Sequence, residues 1–308
     1  MSCLLYNYRK PVFDYERLVN IMKTIDKIML GKTNLLVSRV VYGGIISTNE
    51  EQKDSDRYVS GAIERGINYF DVAPTYGDAQ LKLGNSLQPY RKDVFLACKT
   101  AHRNFSDAKL QMKESLEMLH TDYFDVFQLH AMTTAEDVEQ AFAEDGVMKF
   151  LIEAKKEGMI RNLGFSAHSE KTALKALDLY DFDTILFPVN WATGLKNAMG
   201  DELLVKAKER NMGILALKSL AMRHWKEGEE KEFPKCWYKP IDMKSELAIA
   251  ALKYTIAQGA HTIVPPGYNK YMDFILDKFD ECLKNPLNGN DIEYLTKEML
   301  KIQRDLIF

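Results

Sequence analysis

The sequence predicts an α/β fold, a (β/α)8 TIM barrel, from three observations. From residue 37 onward, short β-rich apolar runs alternate with longer stretches of helical period. The alternation repeats eight times. The runs are nearly continuous in apolar character, as parallel strands covered on both faces are. Repeated strand-then-helix units imply a parallel sheet with right-handed crossovers, and eight such units close into a barrel. The structural competitor, a doubly wound open sheet, normally carries GxGxxG after its first strand. Here the first strand is followed by GGIISTNEE, which does not match.

Residues 1–27 form an N-terminal extension before a barrel domain spanning 28–308. The extension lacks clear periodicity until ERLVNIMKTIDKIML, which reads as a short helix. Strands are expected at 37–43 (VSRVVYG), 67–72 (INYFDV), 93–99 (DVFLACK) and 123–130 (YFDVFQLH). Four more follow at 160–166 (IRNLGFS), 184–190 (TILFPVN), 213–218 (GILALK) and 261–266 (HTIVPP). Helices are expected at 55–66, 107–120, 145–158, 170–180, 201–211 and 246–259, with apolar residues at three- and four-residue spacing. Several of them end in glycine, at Gly66, Gly158 and Gly259, a common C-terminal stop. One irregular stretch, 219–243, holds Met222, Trp225, Phe233, Trp237 and Tyr238. Its length suggests a lid or binding loop, and its aromatic content argues against disorder.

Composition excludes several classes. The chain has 308 residues, 46% hydrophobic and 28% charged, and a net charge of -3. That is the balance of a soluble globular protein, without the positive excess of a nucleic-acid binder. Cys3, Cys98, Cys236 and Cys282 make no CxxC pair, so neither a disulfide framework nor a thiolate metal site is expected. They read as reduced thiols in a reducing compartment. The start has no sustained apolar stretch, and no run approaches the roughly 18 apolar residues of a membrane span. A cytoplasmic protein without membrane or nucleic-acid partners is expected.

In a barrel, chemistry sits at the C-terminal ends of the strands. Asp71 ends the second strand, Lys99 the third and His130 the fourth. Tyr76 follows five residues after Asp71, in DVAPTYG. Singly, each has a bland reading as a cap, a solvated cation or packing. Together, at one barrel mouth, they form a coherent device. A lysine ammonium lowers the pKa of a nearby phenol, and a carboxylate offsets the cost of burying the lysine. A neutral histidine donates to a substrate oxygen. The set can protonate an oxyanion. No Ser-His-Asp elbow, metal-ligand cluster or P-loop is visible, which favours a bound organic cofactor as the source of a hydride.

These residues lie in segments that resemble the aldo/keto reductase family over about residues 28–283. The segments are MLGKTNLLVSRVVYGG (29–44), GINYFDVAPTYGDAQLKLG (66–84), LACKT (96–100), YFDVFQLH (123–130), GMIRNLGFS (158–166) and IVPPG (263–267). The resemblance implies a barrel that binds a nicotinamide cofactor without a Rossmann domain. It implies Tyr76 as general acid, Lys99 and Asp71 as its tuning pair, and His130 as the group that orients a carbonyl. The implied reaction is hydride transfer to an aldehyde or ketone, without a metal.

The resemblance also implies a cofactor set of Gly44, Ser166, Lys218, Ser219, Leu220, Gly267, Asn269 and Lys270. NADP(H) is favoured over NAD(H). There are departures. Ala167 stands where the family has Asn, Leu186 and Val189 replace Gln and a stacking aromatic, and Met272 lies near the usual arginine. Lys270 is the substitute point charge. His102, Trp191, Met222 and Trp225, with Phe105 and His224, follow strand ends and are candidates to line a pocket for a small carbonyl compound. Two rival functions stay open. One is a cofactor-sensing subunit docked through residues 1–27; the other is a non-redox barrel enzyme.

Overall fold

The computed structural model describes residues 24–308. The extension's first 23 residues, Cys3 among them, lie outside that range, as does most of the expected helix. Where the expected helix enters the described residues, Lys27–Met29 form strand β1 instead. It pairs antiparallel with β2 (Leu36–Ser38). The single run expected at 37–43 is thus two strands, because the chain turns between them. At that corner the Asn68 side chain accepts from the Ser38 N–H at 2.7 Å and donates to the Leu36 carbonyl at 3.0 Å.

The barrel strands are β3 (Tyr42–Gly43), β4 (Tyr69–Asp71), β5 (Phe95–Thr100), β6 (Phe124–Met132), β7 (Ile160–Ala167), β8 (Thr184–Pro188) and β9 (Gly213–Leu217). A hairpin of β10 (Ala221–His224) and β11 (Tyr238–Pro240) follows, and β12 (Thr262–Ile263) is the eighth barrel strand. The eight are parallel neighbours in chain order. Val40 pairs in parallel with Ile263, and the Val41 N–H donates to the Ile263 carbonyl at 3.0 Å, which joins the sheet's two edges. Every expected strand from 67–72 onward is present, with ends moved by a few residues.

Eleven α-helices are present among the described residues. They are α1 (Gln52–Glu64), α2 (Ala79–Leu87), α3 (Phe105–Met118), α4 (Ala135–Ala141), α5 (Val147–Lys156) and α6 (Glu170–Leu179). The rest are α7 (Trp191–Asn197), α8 (Asp201–Glu209), α9 (Glu246–Ala257), α10 (Asn269–Lys284) and α11 (Gly289–Ile302). Burial is in two layers. Phe70, Cys98 and Phe127 pack outward against the helices. Tyr69, Ala97, Val126, Leu186, Leu215 and Val264 fill the barrel interior. Leu30, Leu35 and Val37 from the β1–β2 segment belong to the same interior cluster, and Leu30 lies against Gly213 at the start of β9, so the segment plugs the N-terminal end of the barrel. Leu30 packs so closely on Gly213 that a Cβ there would lie 2.6 Å from the leucine Cγ. Cys98, Cys236 and Cys282 are free and buried. No helix among the described residues is long and apolar enough to cross a membrane.

Candidate active site

Successive strand residues point to opposite faces. Tyr69, Ala97 and Val126 face the barrel interior, so Asp71, Lys99 and Gln128, each two residues on, face it too, nearer the C-terminal mouth. Lys99 and Asp71 form a buried ion pair. The other Asp71 oxygen accepts from Gln128 Nε2 at 2.8 Å. Past β4 the chain turns back: the Tyr76 N–H donates to the Ala73 carbonyl at 3.1 Å, and Thr48 Oγ1 donates to the Tyr76 carbonyl at 3.0 Å. Gly77 takes the left-handed conformation (φ 57°) that completes the turn. Tyr76 Oη is thereby 3.4 Å from Lys99 Nζ.

His130 is aimed by an irregularity in its strand. The pairing of β6 with β7 slips between Leu129 and Met132, and Ala131 has φ 54°. The Ala131 N–H donates to Ser166 Oγ at 2.7 Å. Arg103 Nη2 donates to the His130 and Ala131 carbonyls at 2.7 and 3.2 Å, and Arg103 Nε to Asp137 at 3.1 Å. The His130 and Tyr76 rings meet edge-on with centroids 5.7 Å apart. Asp71, Tyr76 and His130 share a cavity of about 320 Å³, and Lys99 is fully buried behind them.

The electrostatics differ from the expectation in one respect. Burial pushes the Tyr76 phenol above its ordinary value, and the pull of Lys99 in the opposite direction does not cancel it, because Asp71 opposes Lys99. The phenol is therefore a protonated donor rather than a phenol with a lowered pKa. Burial alone would push the Lys99 ammonium down, but Asp71 and Tyr76 outweigh it and hold it above its ordinary value. Burial, then Lys99 and His168, push His130 down to about 3, so the ring is neutral.

The remaining candidates divide. Gly44, Ser166, Lys218 and Gly267 line the same cavity. A Cβ on Gly44 would lie 2.7 Å from Val72, and one on Gly267 would lie 2.5 Å from Ile45. Ser219 and Leu220 are fully buried, and the Ser219 hydroxyl has no partner among the described residues. Asn269 opens α10, a helix whose first turn has no side-chain cap, and its Oδ1 is likewise unpartnered. Lys270 lies 3.9 Å from Glu232, with its Nζ 4.2 Å from the Phe233 ring centre.

The expected substrate residues are not among those lining the cavity. Trp191 is fully buried and its indole N–H donates to the Ala221 carbonyl at 3.2 Å, so it is a core residue. Trp225 donates to the Cys236 carbonyl at 2.8 Å and closes the 219–243 stretch on itself. Met222 is half-buried on β10, packed against the core. His102 is exposed beside Asp107, and Phe105 packs edge-on against Phe150, with ring centroids 5.6 Å apart. His224 is exposed, with its ring centroid 5.8 Å from that of Trp237. The cavity wall instead includes His168, Lys235, Cys236, Trp237 and Tyr238. Trp237 and Tyr238 come from the aromatic stretch that the sequence marks as a lid. His168 carried no separate signal beyond following Ser166 by two residues.

The model of the aldo/keto reductase family matches residues 39–272. The chain belongs to that family. It is 30% identical over 192 residues to aldo-keto reductase YhdN of Bacillus subtilis (strain 168), a match covering 58% of this chain and 55% of that one. It is 32% identical over 152 residues to the uncharacterized oxidoreductase YqkF of the same organism, covering 45% and 47%. The chain thus matches about half the length of these relatives. In fold it is similar to the holo form of aldo-keto reductase AKR11C1 from Bacillus halodurans, with a TM-score of 0.68, 21% identity, and coverage of 89% of this chain and 96% of that one. That likeness shows the (β/α)8 fold. No group of metal-ligating side chains occurs among the described residues.

Proposed function

We propose that this aldo/keto reductase reduces an aldehyde or ketone to an alcohol, using a nicotinamide dinucleotide, with Tyr76 as general acid. The observation that carries this reading is Tyr76 Oη held 3.4 Å from Lys99 Nζ in the cavity that His130 also lines. The residues present fit a dinucleotide. Gly44 and Gly267 keep the rim free of side chains where a Cβ would collide. The unpartnered Ser219 hydroxyl and the open N-terminus of α10 suit phosphate groups, and the unpartnered Asn269 oxygen suits a donor such as a ribose hydroxyl or a base amine. Lys270 beside that N-terminus supports NADP(H) over NAD(H).

When bound, the reduced dinucleotide supplies the hydride. The protein's own part is acid catalysis. A carbonyl oxygen that reaches Tyr76 Oη receives its proton there. The phenolate left behind is stabilised by the Lys99 ammonium. Asp71, held by Gln128, keeps that ammonium charged and placed. Neutral His130 offers a ring N–H that orients the carbonyl. Tyr76→Phe removes the proton and leaves the packing, so turnover is expected to fall by about 10²- to 10⁴-fold. Titration of the variant by nicotinamide fluorescence should show NADPH still binding. Turnover retained in Tyr76→Phe rejects the assignment of the acid. Failure of wild type to bind either NADPH or NADH rejects the reading as a reductase.

A further inference from the structure

Three cations belong to the buried set of the described residues: Lys99, Arg223 and Lys218. Lys99 pairs with Asp71, and Arg223 with Glu229. Lys218, only 6% exposed, has no carboxylate within ion-pair distance among the described residues. Its Nζ lies 3.1 Å from His168 Nε2 and sits over the Trp237 and Phe308 rings, 4.8 and 4.9 Å from their centres. Burial pushes His168 down to about 4, with Lys218 adding to the shift, so its ring is neutral and offers a lone pair to the lysine rather than a counter-charge.

The backbone holds this lysine in place. Lys218 has φ 62°, a conformation unusual outside glycine. Its carbonyl accepts from Asn190 Nδ2 at 2.9 Å and from the Ala221 N–H at 3.0 Å. Asn190 is itself fixed, because its Oδ1 caps α7 by accepting from the Ala192 and Thr193 N–H groups. A strained residue persists only where its surroundings determine it. Burying an unpaired cation is costly unless an anion completes it.

Lys218 lines the cavity shared by Tyr76 and His130. The other charges around that space cancel: Lys99 against Asp71, and Lys235 against Glu50 at 2.5 Å. Burial pushes Lys218 down to about 7, so it is the uncompensated positive group below that pH, and an anion beside it would hold the charge at higher pH.

We propose that Lys218, within the cage of His168, Trp237 and Phe308, binds the carboxylate of the carbonyl substrate. The preferred substrates are then small aldehydes or ketones bearing an acid group. This deepens the reductase reading and rests on it. The anion binds at Lys218 while the carbonyl reaches Tyr76 and His130.

The test compares 4-carboxybenzaldehyde with its methyl ester, methyl 4-formylbenzoate, using the full chain and NADPH. Wild type is expected to favour the acid at least tenfold in kcat/KM. In Lys218→Met the ratio of acid to ester should collapse to about one, whatever the absolute rate, and Lys218→Arg should restore part of it. Calorimetric binding of the two alcohol products, 4-(hydroxymethyl)benzoate and its methyl ester, reads the same preference without turnover. That measurement separates failure of the anion site from failure of the reductase reading. A preference that is absent in wild type, or that survives in Lys218→Met, overturns the proposal. So does a Lys218→Met variant that loses NADPH affinity and keeps the acid preference, since the lysine would then serve the cofactor's phosphates.

Discussion

Lys99 carries two duties that mutagenesis can pull apart. It charges the surroundings of the Tyr76 phenol, and it neutralises a carboxylate inside the barrel. Lys99→Met leaves Asp71 buried without its partner, and removing one member of a buried pair costs about 3–5 kcal/mol. The double variant Lys99→Met, Asp71→Asn removes both charges. It should recover most of the lost stability in denaturant titrations and none of the lost turnover. Recovery of turnover would show that the pair serves only the fold. The imidazoles make a separate prediction. Burial pushes His130 down to about 3 and His168 to about 4. In the unfolded chain both take up protons near the ordinary value of about 6.5. Protons therefore favour unfolding, so this contribution to stability is complete above about pH 6.5 and is lost as pH falls toward 4. Lys218, pushed down to about 7 by burial, acts above that window. Urea midpoints measured from pH 7 to pH 5 should fall, and the fall should be smaller in His168→Asn.

The slip in β6 is the element on which the site's geometry turns. Arg103 binds the His130 and Ala131 carbonyls from the start of the loop after β5, and Asp137 at the head of α4 holds Arg103. Arg103 is thus a positioning residue for His130. Arg103→Ala is expected to lower kcat by about tenfold or more, since small displacements of reacting groups are costly. Arg103→Lys should regain part of the loss, and cofactor affinity should not change. Equal loss in both variants, with a matching loss of stability, would make the role merely structural. Little of this element is legible in the sequence. The alternation that turns Asp71, Lys99 and Gln128 inward can be read from Tyr69, Ala97 and Val126, because a strand has a period of two. The slip cannot, because Ala131 carries no mark of φ 54°, and its partner Ser166 is 35 residues away. Ser166, expected at the cofactor, lines the cavity, and its hydroxyl also braces β6.

At the scale of the whole molecule, the barrel order was legible because each strand run repeats the same apolar signature. The pocket lining was less so. Trp191 follows a strand end, as a mouth residue should, yet its ring turns into the core. His168, Trp237 and Phe308 meet around Lys218 from three distant parts of the chain, and no local pattern announces such a meeting. The plug at the other end makes the last prediction. Leu30→Ala opens a void against Gly213 and should cost about 2–5 kcal/mol in denaturant unfolding, with kcat per folded molecule unchanged. A drop in kcat would mean that the two ends of the barrel are coupled. Because β1 and β2 stopper that end, Tyr76 is approached from the opposite end of the barrel, where Lys235 and Trp237 line its cavity.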